Sequence, residues 1–253
     1  EVLAFDTETE GLRWNVDRVR MIQVGDAVDG WAMPWDMWGG VAVEALQRYE
    51  GQLVAHNCAF DTNMIEHWCP GIPLPRHRID DTMIASHILD PTRNVGLKTL
   101  TTHLIDRRAA AAQTILDEGM VNNHWTWATV PLEYSPYWQY AALDTVLTAQ
   151  LWSILMPQVR AEAPKAYDLE MATTWVVQKM ARRGCQVDIP YTQASLDAFN
   201  AYVAQAGDWC QATYGVSPGS DAKIIERLEQ DGVRFTKMTS SGSRYALDKE
   251  VLE

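Results

Sequence analysis

The chain opens with an unbroken apolar run, Val2-Leu3-Ala4-Phe5, and then alternates between polar types through Thr9. That is the pattern of a strand whose far end leaves the core. Residues 21–26 and 30–35 repeat a strand pattern around Asp29-Gly30, a tight-turn dipeptide, and predict an antiparallel hairpin. Helical spacing takes over at 41–49, a short apolar strand follows at 52–56, and a short helix at 60–68. A β-β-β-α-β-α order specifies a mixed sheet flanked by helices rather than an all-parallel one. Beyond Pro75 the pattern is helical. Helices are expected at 81–89, at 97–105, at 108–119 with Gly119 as its stop, and from Pro136 to about residue 155. Amphipathic spacing predicts three more at 169–183, which Gly184 closes, at 191–214 and at 220–232. The character of the chain changes near Met156-Pro157, so a domain boundary is expected at 157–165, giving domains 1–160 and 161–253.

Composition narrows the class. With 47% apolar and 21% charged residues among 253, the chain has ordinary globular usage, which excludes disorder, collagen and coiled coil. A net charge of −12 argues against nonspecific wrapping of duplex nucleic acid, which needs a basic surface. It leaves room for local handling of one strand end, and bound cations would cancel part of the deficit. Cys58, Cys69, Cys185 and Cys210 form no CxxC pair and no zinc spacing, so buried free thiols in a reducing compartment are expected. No apolar run approaches the ~18 residues of a membrane span, and no signal peptide is visible. The start at Glu1, directly before a strand, and the stop at Glu253 read as cuts in a longer chain.

Three carboxylate clusters carry the candidate chemistry. Asp6 and Glu8, two apart on the opening strand, project from one face, where like charges repel unless a cation or proton joins them. Asn57 and Asp61 bracket a strand-to-helix passage, and Tyr140 and Asp144 share a helix face at i and i+4. Each has a plain structural reading: a strand end meeting solvent, ordinary helix caps, a core-edge phenol beside a surface acid. Together they supply four acids from two strand ends and one helix, with a phenol beside the last. Such oxygen donors suit hard divalent cations, Mg²⁺ or Mn²⁺. Two ions ~3.5–4 Å apart can clamp the attacking and leaving oxygens of a displacement at phosphorus. No Ser/His/Asp order, phosphate-cradling glycine loop or dinucleotide fingerprint competes.

The segments FDTET at 5–9, NCAFD at 57–61 and YAALD at 140–144 resemble the three exonuclease motifs of the DEDD superfamily, in the subclass with Tyr in its third motif. Their order and spacing resemble the proofreading domain of DNA polymerase I-like (family A) polymerases. Asp81-Thr82-Met83, Leu89, Leu97 and Leu100 resemble the family's segment between motifs two and three. The stretch from Glu170 to Asp188 resembles the helix leading into the polymerase thumb. Ser217-Pro218-Gly219-Ser220, Ile225, Leu228, Gly232-Val233, and residues 237–243 and 250–253 resemble the thumb's later half. Palm and fingers have no counterpart here.

The resemblance implies an RNase H-like fold over 1–160, a mostly helical partial thumb over 161–253, and 3′→5′ exonuclease activity with two divalent cations, Mg²⁺ or Mn²⁺. It assigns Asp6, Glu8, Asp61 and Asp144 as metal-binding carboxylates and Tyr140 as the residue that orients the attacking water. Asp6 would bridge both ions, Glu8 and Asp144 would hold one, and Asp61 would reach the other through water. Thr9 and Leu12 match positions that touch the terminal nucleotide, Asn57 lies near the substrate strand, and Phe60 is a candidate for stacking on the last bases. The expected partner is a single-stranded DNA 3′ end or primer-template, handled by a monomer in the cytoplasm of a bacterial or phage-infected bacterial cell. Alternatives are an RNA-trimming enzyme of the RNase D kind and an inert scaffold of the same fold. Elsewhere, Trp31, Trp35, Trp38, Trp125 and Trp127 are read as core residues and the six histidines as structural. Arg76, Arg78, Arg107 and Arg108 offer a basic rim. Lys98 is either a phosphate contact or a solvated surface side chain.

Overall fold

A computed structural model describes residues 2–239, 242 and 245–247. The positions at 240, 241, 243 and 250–253 that entered the thumb resemblance lie outside the described residues. By internal contacts the chain divides into two compact units, 1–184 and 185–253.

The first unit is built on a five-stranded mixed sheet, ordered β3-β2-β1-β4-β5. Its strands are β1 (Val2–Thr9), β2 (Val19–Gly25), β3 (Gly30–Pro34), β4 (Gln52–Ala55) and β5 (Ile79–Asp81). The hairpin predicted around Asp29-Gly30 is present, and β1 runs antiparallel to β2 and parallel to β4. The three-residue β5 has too few side chains to set up a period and was not visible in the pattern; it pairs in parallel with β4. Pairing of β4 to β1 covers only residues 2–4 of β1. Beyond Ala4, that edge of β1 is open, and an adjoining helix can bring side chains up to it.

Helices cover both faces of the sheet. Phe5 and Ile22 pack with Ala42, Val43 and Leu46 of α1 (Trp35–Arg48), whereas Ala4 and Val54 pack with Ala149 of α6 (Ser135–Glu162). Helix α1 starts six residues before its periodicity suggested, because the Trp35 ring lies flat against Gly39 and seals the first turns. Helix α5 (Ala111–Asn123) passes through Gly119, the expected stop, since the Tyr134 ring occupies the space a side chain there would need. It ends instead at His124, in the left-handed region. Helix α6 continues past Pro157 because Leu155, Met156 and Val159 stay buried on either side of it. It crosses the hairpin so closely that a Cβ at Gly30 would collide with the Ala142 carbonyl.

Asp81 organises the starts of α2 (Cys58–Trp68) and α3 (Thr82–Leu89), which α4 (Leu97–Leu104) follows in the chain. Its carboxylate accepts from the backbone N–H of Cys58 at 2.7 Å and Asn57 at 3.3 Å, and of Met83 at 2.8 Å and Ile84 at 3.1 Å. One buried acid thus caps α3 from within and α2 from a distance, satisfying amide groups that helix starts leave orphaned. Next to it, Asp80 accepts from the Trp152 indole at 2.8 Å and the Tyr167 phenol at 3.0 Å. These bonds fasten α6 and α7 (Pro164–Arg183) to β5. With Tyr167, Met171 and Gln178 buried, α7 belongs to the first unit, which therefore extends beyond the expected change of character near residue 160.

Among its described residues the second unit contains α8 (Ile189–Tyr214), α9 (Asp221–Gln230) and an antiparallel bridge, Met238 to Tyr245. All four cysteines are unpaired as expected, but only Cys58 is buried; Cys185 is exposed. Trp35, Trp125 and Trp127 pack on apolar clusters, while Trp31 and Trp38 are about half exposed. Among the described residues no helix is long and apolar enough to cross a membrane.

Replacing Asp81 by Ala strands four amide donors at two helix starts. We expect a loss of about 3 kcal/mol or more in urea unfolding at neutral pH, with Asp81→Asn less severe. A loss below about 1 kcal/mol would show that the two helix starts do not depend on this carboxylate.

Candidate active site

Strand parity sends Asp6 and Glu8 to the Ala4 face, the side covered by α6, and Thr7 to the Phe5 side. From α6, Asp144 comes to the same place, with Tyr140 one turn before it. Asp61, in the first turn of α2, reaches the open edge of β1, where Thr7 Oγ1 donates to Asp61 Oδ1 at 2.6 Å. Glu8, Asp61 and Asp144 are each more than nine-tenths buried, and Asp6 is more open.

Four acids in so little water are electrostatically strained, and no local spacing signals what offsets this. Lys98, in the first turn of α4, extends its ammonium into the cluster. It forms an ion pair with Asp144 Oδ1 and lies 4.6 Å from the centre of the Tyr140 ring. Its side chain is 16% exposed, so Lys98 is not a solvated surface side chain.

Ionisation follows from this enclosure. Burial pushes the Glu8 carboxyl well above its ordinary range, and the charge of Asp6 adds to the effect. Burial does the same to Asp61, again reinforced by Asp6. Asp6 itself is raised by burial, against which the Thr7 amide, the Asp61 carboxyl and the Lys98 charge all work. Burial brings Lys98 down to about 8, with Asp6 and Glu8 pulling the other way. The Tyr140 phenol is raised by burial first and then by Glu8 and Asp6, so it remains a hydrogen-bond donor at any physiological pH. Asp6, Glu8, Tyr140 and Asp144 thus gather around one lysine, and Asp61 joins them beside Asp6 and Thr7.

The donor set is four carboxylates without His or Cys, which in chemistry fits hard divalent cations. It is not a closed cage: among the described residues, no three His, Cys, Asp or Glu side chains are gathered closely enough to hold an ion as they stand. Asp144 is ion-paired with the Lys98 ammonium.

The other expected residues border this pocket. Thr9 is buried, and its hydroxyl donates to the Gly11 carbonyl at 2.7 Å, which turns the chain out of β1. Leu12 is 83% exposed on the β1–β2 connection. Trp68 Nε1 donates to the Asp17 carbonyl at 3.0 Å, and Trp14 meets His67 edge-on, so that connection is pinned to the helix bearing Phe60 and Asp61. Asn57 is exposed and left-handed at φ 71°; Phe60 is half-buried. None of these four hydrogen-bonds an acid of the cluster among the described residues. The basic rim does not form as expected. Arg76 pairs with Glu66, Arg108 pairs with Asp106, and Arg78 donates to the Gln47 and Tyr49 carbonyls, which leaves Arg107 on the surface.

The family and the fold of the chain follow from comparison with known proteins. Residues 1–160 match the DNA polymerase A family described as 3'-5' exonuclease. The chain is 28% identical to the DNA polymerase of Mycobacterium phage D29, over 96% of this chain and 43% of that protein. It is 27% identical to the DNA polymerase of Mycobacterium phage L5, over 96% of this chain and 44% of the relative. It thus spans less than half the length of the curated relatives it matches. In fold it resembles Brucella melitensis NrnC with bound Mg²⁺, at TM-score 0.54 and 20% identity, over 74% of this chain and 89% of that one. It also resembles the polymerase domain of Pol1 from M. smegmatis in complex with primer-template and dNTP, at TM-score 0.60 and 16% identity, over 99% of this chain and 40% of that one. The mixed sheet is therefore RNase H-like, and the chain belongs to the DNA polymerase A 3′–5′ exonuclease family, with residues 1–160 as the family's domain.

Proposed function

We propose that this chain hydrolyses the terminal phosphodiester of single-stranded or frayed DNA 3′ ends, releasing nucleoside 5′-monophosphates, as the proofreading part of a longer phage-type DNA polymerase. The observation that carries this is the meeting of Asp6, Glu8, Asp61, Asp144 and Tyr140 at one end of the sheet, from three separate stretches of sequence. Likeness to the mycobacterial polymerase over 99% of the chain supports reading residues 161–253 as part of a thumb.

Asp6, Glu8, Asp61 and Asp144 would hold two divalent cations, Mg²⁺ or Mn²⁺. When bound, these supply positive charge against the reacting phosphate and acidify the attacking water. Every other part of the reaction belongs to the protein. Thr7 fixes the rotamer of Asp61 through its hydroxyl, so that carboxylate is preorganised rather than recruited. Tyr140, held protonated, donates to the incoming water and aims its lone pair along the line of displacement. Leu12, exposed on a pinned loop, and Phe60, at the start of α2, offer apolar surface to the last bases. Such contact is tolerant of sequence, at ~1–3 kcal/mol per base. Asn57 presents its amide beside the same helix start. A frayed, mismatched end reaches the pocket at lower unpairing cost than a matched one, which gives preference without base reading.

The reaction is tested on a 3′-labelled oligonucleotide. Asp6→Ala and Asp144→Ala should each reduce Mg²⁺-dependent shortening to background while the fold stays intact by circular dichroism. Wild-type rates in either variant would remove the assignment. Parallel DNA and RNA strands fix the sugar preference, with DNA expected to be the better substrate. Tyr140→Phe should slow turnover by about 100-fold with Mn²⁺ binding retained; an unchanged rate would make the phenol a packing residue.

The raised carboxyls give a second test, without substrate. A carboxyl whose folded pKa lies above its unfolded value costs stability as pH rises through that interval, and the cost is largest above it. In EDTA at pH 7.5, Glu8→Gln should therefore raise the melting temperature by about 2–4 °C. That advantage should fade as pH falls toward the ordinary carboxylate range. An advantage that grows on acidification would contradict the burial of a charged Glu8.

A further inference from the structure

Lys98 is unexplained by hydrolysis itself. Its ammonium sits where a cation is needed, paired with Asp144 and against the Tyr140 ring, within the field of Asp6 and Glu8. A side chain that is 84% covered gains nothing from solvent there, so its position is set by the acids. Lys98 also borders an open surface depression of about 660 Å³, shared with Thr99, Thr102, His103, Arg107 and Ala110. His103 and Arg107 are exposed, so this depression is open to water, and a lysine that left Asp144 would recover hydration in it.

We propose that Lys98 is a tethered counter-cation that occupies Asp144 while no metal is bound, and that a divalent ion must displace it to complete the site. This rests on the metal-binding reading of the four acids given above. It has two physical consequences. Without metal, the ammonium screens the clustered carboxylates and holds α4 against α6. On metal binding, the same charge becomes a competitor, because a +2 ion and an ammonium on one carboxylate repel. Affinity for the ion is then lower than the four acids alone would give.

The test is calorimetric titration of Mn²⁺ into DNA-free, EDTA-stripped and dialysed protein. Lys98→Met should tighten Mn²⁺ binding by about tenfold or more, and its metal-free form should melt below wild type. Lys98→Arg, which keeps the charge, should bind Mn²⁺ near the wild-type affinity. Equal or weaker binding by Lys98→Met would overturn the proposal. Should that variant not fold, the wild-type protein decides. Reductive methylation of Lys98, followed by mass spectrometry, should be slow in EDTA and several-fold faster in saturating Mn²⁺. An equal or slower rate with metal would overturn the idea. The two readings fail differently: wild type that binds no Mn²⁺ overturns the metal-dependent nuclease itself, whereas normal binding that is indifferent to position 98 overturns only the role of Lys98.

Discussion

The structure depends on bringing like charges together out of water. Glu8, Asp61 and Asp144 lie in the protein interior, and the scaffold around them supplies what isolated carboxylates there would lack. The strand edge beyond Ala4 provides room, Thr7 provides a hydrogen bond, and Lys98 provides charge. Removing a partner from such a set exposes a desolvation cost that the other partners cannot absorb. The pocket is in this sense poised. It is kept together by one monovalent charge, yet its donors would be better matched by more charge than a lysine carries.

What places the acids is a different network, just outside the pocket. Asp81 fixes the starts of two helices, and Asp80 fastens two more to the shortest strand through Trp152 and Tyr167. Two adjacent acids thus have structural duties, while Asp6 and Glu8, on a strand two places away in the sheet, face the pocket. Composition alone cannot separate these groups. The distinction lies in whether the oxygens meet backbone amides or one another.

Much of this was legible in the sequence, for identifiable reasons. The hairpin, the mixed sheet and most helices follow from periodicity and turn chemistry, and the three motifs lie on elements long enough to set their direction. The misses share one cause: tertiary contacts that leave no local period. Gly119 and Pro157 looked like helix ends but are spanned, because Tyr134 fills the gap at one and buried neighbours hold the other. Strand β5 owes its existence to β4 beside it. Lys98 finds its partner forty-six positions away, across the interval between two helices, and no spacing rule reaches that far. The arginines predicted to line the rim were assigned by charge alone, and three of them serve carbonyls or acids of their own chain.

Asn57 shows what this division of labour permits. It stands at the position before α2 where an asparagine would ordinarily fold its side chain over the first amides, yet it makes no such bond, and its backbone takes a conformation more natural to glycine. Because Asp81 on a neighbouring strand has assumed that duty, the exposed carboxamide makes no hydrogen bond among the described residues. Glycine would suit the backbone better but would bring no such group. Under the proposed function, that carboxamide is the group Asn57 would offer the substrate strand.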